Sequence, residues 1–67
     1  MARQMGREVI YEFQTIGGSV KVSAIDARTG TEVSIVGPSG IGDESLKRTA
    51  LQKLEYVMNK KASESRR

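Results

Sequence analysis

"EVIYEFQTIGGSVKVSAI", residues 8–25, decides how this chain folds. Val9, Tyr11 and Phe13 alternate with Glu8, Ile10, Glu12 and Gln14. Beyond the glycines, Val20, Val22 and Ala24 alternate with Ser19, Lys21 and Ser23. Period-two alternation of β-branched and aromatic residues with polar ones predicts a strand on each side. Gly17–Gly18 between them predicts a tight hairpin, because both turn positions can take positive φ. A two-residue loop pairs Ile16 with Ser19, so Phe13 faces Val22 and Tyr11 faces Ala24. On the other face Ile10 meets Ile25, Glu12 meets Ser23, and Gln14 meets Lys21. Both faces match, and a slip of one residue would turn every side chain to the wrong side.

The pattern continues outward. In "DARTGTEV" Asp26 can accept from nearby backbone N–H groups and Gly30 can supply a left-handed residue. A four-residue loop, Ala27 to Gly30, sets Asp26 against Thr31, Ala24 against Val33 and Val22 against Ile35. Strands near 8–16, 19–26 and 31–36 therefore form an antiparallel meander in the order 1-2-3. "SIVGPSGIGDESL", residues 34–46, follows with glycines at 37, 40 and 42. A glycine-rich turn into a helix can cradle phosphate, but this one lacks the Lys-Ser/Thr pair of a P-loop. Asp43 and Glu44 stand where phosphate would sit and would repel it. A single helix placed last also leaves no parallel βαβ unit. The stretch reads as a connector.

Residues 43–61 predict the helix. Asp43 suits its N-cap, and Lys60–Lys61 suit the negative end of its dipole. Glu44 and Arg48 are spaced for an i,i+4 pair. Leu46, Ala50, Leu51, Leu54, Val57 and Met58 fall within an arc of roughly 140°, the stripe of a helix lying on a sheet. The expected fold is thus α+β: a three-stranded antiparallel β-meander with one C-terminal α-helix packed on one face, Leu46 coming down over Phe13 and Val22. Residues 8–61 form a single domain, between flexible tails at 1–7 and 62–67.

Composition narrows the function. The chain has 67 residues, no cysteine and no histidine. That removes thiolate and imidazole metal ligands and the commonest general base. The hydroxyls of Ser19, Ser23, Ser34, Thr49 and Tyr56 have no activating base, as a nucleophile requires. The expectation is a protein that is not an enzyme and carries no cofactor. No apolar run reaches the length of a membrane span, and "MARQMGRE" has no apolar signal-peptide core. A cytoplasmic location is expected. The net charge is +3, but Arg3 and Arg66–Arg67 place much of it at the chain ends, whereas nucleic-acid binders concentrate base on one face.

The outer sheet face is the candidate surface. It carries Glu8, Ile10, Glu12, Gln14, Lys21, Ser23, Ile25, Glu32, Ser34 and Val36. Three antiparallel strands and a helix can lay such a face in a DNA groove, but three glutamates against one lysine repel phosphate. Glu8, Glu12 and Glu32 could hold a divalent cation through oxygens, and they read better as a solvated face. Ile10, Ile25 and Val36, rimmed by Glu12 and Glu32, form a candidate partner-binding cluster. The third strand is an open edge, and only Glu32 in it discourages pairing. The expected function is a small non-enzymatic interaction module, self-associating or bound to another protein through the outer face or the third-strand edge. The alternative is weak nucleic-acid binding by the basic helix flank of Lys53, Tyr56 and Lys60, helped by the tails.

"EVIYEFQTIGGSVKVSAIDARTGTEVSIVGP" followed by "LQKLEYVMNKK" resembles a family of small alphaproteobacterial proteins known only as a domain of unknown function. The resemblance covers about residues 8–61, and "VKVSAIDARTGTEVSIVGP" and "LQKLEYV" carry it most specifically. It implies a bacterial cytoplasmic protein and supplies no activity, cofactor or catalytic residue.

Overall fold

The computed structural model describes residues 8–65. Strand β1 spans Val9–Ile16, β2 Ser19–Asp26 and β3 Glu32–Pro38. A 3-10 turn, Ser39–Ile41, leads into helix α1, Asp43–Ser65. The sheet is antiparallel in the order β1-β2-β3. The expected α+β arrangement is the one observed.

The register follows from the two turns. Ile16 pairs with Ser19, Phe13 with Val22, Tyr11 with Ala24 and Ile10 with Ile25. Across the second turn Val22 pairs with Ile35 and Ala24 with Val33. Gly17 takes φ +60° in the first turn, which explains why glycine occupies it. In the second turn the Asp26 carboxylate accepts from the Arg28 N–H at 2.9 Å. The Asp26 N–H donates to the Thr31 carbonyl, and the Gly30 N–H donates to the Asp26 carbonyl, each at 2.8 Å. Asp26 is only 2% exposed, so these bonds keep a buried polar residue satisfied.

The core lies between the sheet and α1. Val20, Val22, Ala24 and Val33 meet Leu46, Ala50 and Leu54, all buried. Val9, Tyr11, Ile35, Val57 and Met58 pack around them. The helix stripe is thus the one its periodicity predicts. Burying each larger member contributes roughly 1.5–3 kcal/mol, and a chain this short retains little of that after ordering.

Phe13 departs from expectation. It points to the helix side of β1 but is 42% exposed. The helix packs chiefly on β2 and β3; on β1 it reaches Tyr11 through Lys47 and leaves Phe13 half exposed. A helix is about 10–12 Å across and neighbouring strands lie about 4.8 Å apart, so one helix covers two strands and leaves the third. Gly37 marks where the helix meets β3. A Cβ at Gly37 would lie 2.5 Å from Leu46 Cδ2, so Leu46 seats in the notch that this glycine leaves on β3. Leu46 therefore sits over Gly37, not over Phe13.

Two helix details also differ. The helix starts at Asp43, which makes Gly42 (φ +99°) the capping position. The Gly42 carbonyl accepts from the Leu46 N–H at 3.3 Å. Asp43 and Glu44 then occupy the first turn, where the helix dipole favours them. The helix also runs past Lys61 to Ser65, taking in residues expected to be a flexible tail. Residues 1–7 and 66–67, the rest of the expected tails, lie outside the described residues.

Candidate functional site

Among the described residues no second layer covers the outer face of the sheet, and strand pairing fixes its rows. Ile10 faces Ile25, which faces Glu32. Glu12, Ser23 and Ser34 form the next row. Gln14, Lys21 and Val36 form the third. Ile16, Ser19 and Pro38 form the last. Among the candidate partner-binding residues, the register brings Ile10 and Ile25 together with Glu32 beside them. It sets Val36 two rows away, opposite Lys21, so the three aliphatics do not form one cluster. Ile10 is 45% exposed and Val36 67%. The Oγ atoms of Ser23 and Ser34 lie 3.0 Å apart in hydrogen-bond contact. That pair joins the strands midway between the aliphatic groups.

Glu12 and Glu32 line a shallow open concavity of about 550 Å³ with Phe13, Gln14, Lys21 and Ser23. Its two acids face one lysine, with Phe13 as the one aromatic residue in the lining, so it offers a mixed and mainly polar surface. Among the described residues no group of three or more carboxylates stands close enough to hold a metal ion.

Both edges of the sheet matter. On β3, Lys53 Nζ donates to the Ser34 carbonyl at 2.9 Å. Sequence reading leaves this edge guarded only by Glu32; in the structure the helix supplies a lysine that occupies an edge carbonyl. On β1 no such contact occurs among the described hydrogen bonds. β1 carries three exposed apolar residues, Ile10, Phe13 and Ile16, the last 56% exposed. Phe13 and Ile16 are the surface residues that sequence patterning misses. For Phe13 the available signal was geometric, since three strands are too wide for one helix; for Ile16 it was parity, which puts it on the outer face with Ile10, Glu12 and Gln14.

The helix flank of Lys53, Tyr56 and Lys60 faces away from the core. Tyr56 is 66% exposed, while Lys53 is held against β3 as described. The other flank leans toward β1. Lys47 Nζ lies 5.0 Å from the Tyr11 ring centroid, a cation–π contact. Glu44 reaches Lys47 at 3.9 Å, in place of the expected pair with Arg48. Burial pushes the Tyr11 hydroxyl above its ordinary value, and the carboxylates of Glu55 and Glu44 push the same way.

A family model described as a domain of unknown function (DUF6898) matches residues 6–61. No curated protein and no solved structure matches the chain. None of the described helices is long and apolar enough to cross a membrane.

Proposed function

The chain belongs to the DUF6898 family, and we propose that it works as a small non-enzymatic interaction module that binds through its open sheet. The supporting observation is the outer face: Ile10 sits directly against Ile25, and among the described residues no second layer packs over them. A face of this kind costs solubility unless a partner uses it. The small core gives a second reason, since chains of this length gain stability by associating. The absence of cysteine and histidine from the sequence, and the shallow polar concavity, support a binding role over a catalytic one. We place the protein in the cytoplasm of an alphaproteobacterium, on the resemblance of "VKVSAIDARTGTEVSIVGP" and "LQKLEYV". Light scattering behind gel filtration tests self-association. A mass that rises above the monomer with concentration is expected, and a clean monomer throughout overturns that form of the reading.

A second reading rests on Tyr56. Its exposed ring lies about one helical turn from both Lys53 and Lys60, and Lys60 beside it can combine phosphate contact with base stacking, while Lys53 would first have to leave the Ser34 carbonyl. Titration with DNA and RNA at low salt, where electrostatics is strongest, tests it. No binding there ends it.

A further inference from the structure

We propose that β1 is the self-association edge, and that two copies pair antiparallel through it about a two-fold axis at Phe13. This rests on the self-association reading above and names its surface. The free backbone groups come first. Ile16 and Ser19 close a two-residue turn, so that pair exchanges its backbone bonds. Antiparallel alternation then gives Ile10, Glu12 and Gln14 the bonds to β2. Glu8 fits the same alternation, since its carbonyl accepts from the Ala27 N–H at 3.1 Å. The N–H and C=O groups of Val9, Tyr11, Phe13 and Thr15 therefore face outward along an eight-residue strand.

Side chains select the register. Directly opposed residues in antiparallel strands share a face, so the two-fold axis must pass through a residue. An axis at Glu12 opposes Glu12 to its own copy, a like-charge pair that destabilises. An axis at Gln14 sets Glu12 against Ile16 and leaves Ile10 unmatched. An axis at Phe13 sets Phe13 on its own copy and Tyr11 on Thr15. On the outer face it then sets Ile10 on Ile16 and Glu12 on Gln14. Each exposed apolar side chain of β1 finds an apolar partner, and no like charges meet. Edge geometry agrees. The helix lies chiefly over β2 and β3, so among the described residues no side chain takes an outward carbonyl of β1, while the β3 edge has a carbonyl already taken by Lys53.

Single-cysteine variants test the register cleanly, because the chain has no cysteine of its own. Glu12→Cys and Gln14→Cys are both on the exposed outer face. In the proposed dimer Glu12 opposes Gln14 of the second copy as a non-bonded pair, with Cα atoms about 4.5 Å apart. That distance lies within disulfide reach. Like residues sit diagonally, roughly 7–8 Å apart, and bridge poorly. Under mild oxidation, mixing the two variants should give roughly tenfold more covalent dimer than either alone, given the strictness of disulfide geometry. Phe13→Lys should weaken the dimer by roughly tenfold or more, since it brings two cations together. Its far-UV dichroism should stay that of the folded chain, because Phe13 is already half exposed. A dimer by light scattering without preferential mixed cross-linking overturns the β1 register and leaves self-association standing. A chain that stays monomeric at every concentration leaves β1 to a strand of another protein, and overturns both self-association and the second-copy assignment.

Discussion

Gly37 is the residue of β3 against which the start of the helix seats. Its missing side chain is the space into which a Leu46 methyl fits, and Leu46 is 2% exposed, so a shift of that methyl would press on the packed core. Gly37→Ala should therefore destabilise the domain by about 1–3 kcal/mol, the usual cost of overpacking. Gly18→Ala is the control, since nothing lies within 4 Å of a Cβ there and no positive φ is involved. It should be neutral or slightly stabilising, by up to about 1 kcal/mol through the unfolded chain. Urea unfolding of both variants checks the contrast. Tyr11 gives a pH effect. Its hydroxyl is raised above the ordinary 10.0, first by burial, then by Glu55 and Glu44. The folded state thus holds this proton more tightly than the unfolded state. The stability it contributes is complete below the unfolded value and is lost as pH rises through the folded one. In a Tyr56→Phe background, phenolate absorbance of the single remaining tyrosine should titrate later in the folded protein than in urea.

At the scale of elements, the helix is the unit that the sequence specified incompletely. Its stripe was legible because Leu46, Ala50 and Leu54 recur at intervals of four, and all three are buried. The strand register was legible too, because two turns of defined length count the residues for each face. What periodicity does not encode is lateral position. The stripe says which side of α1 faces the sheet and not which strands lie beneath it. So Phe13 read as core and lies half exposed, and Val36 read as a neighbour of Ile25 and lies two rows away. Lys53 was visible as a basic residue on a flank, but its bond to Ser34 depends on that same lateral placement. Leu54 is fully buried under the covered strands. Leu54→Ala should cost about 2–5 kcal/mol, enough to unfold much of so small a domain. Thermal unfolding by circular dichroism measures it, and a well-folded variant would mean that the helix contributes less than its packing implies.

For the whole molecule, uneven cover predicts uneven protection. β2 has strands on both sides and the helix above, so its amides should exchange slowest with solvent. Along β1 the amides of Tyr11, Phe13 and Thr15 face outward and should exchange rapidly in dilute protein. As concentration rises they should become protected, while those of Ile10, Glu12 and Gln14 change little. Protection that does not depend on concentration would be at odds with a shared β1 edge. The two rims of the sheet then have different consequences. A sheet with two open rims can recruit copies at both and elongate without limit. In the proposed dimer one rim would meet its own copy across a two-fold axis, while on the other rim Lys53 holds the Ser34 carbonyl, so addition should stop once two chains have joined. The ammonium group on Ser34 would in this sense be a terminator, separating a discrete particle from a fibre. Lys53→Ala should barely alter the stability of the fold, and should let the particle grow.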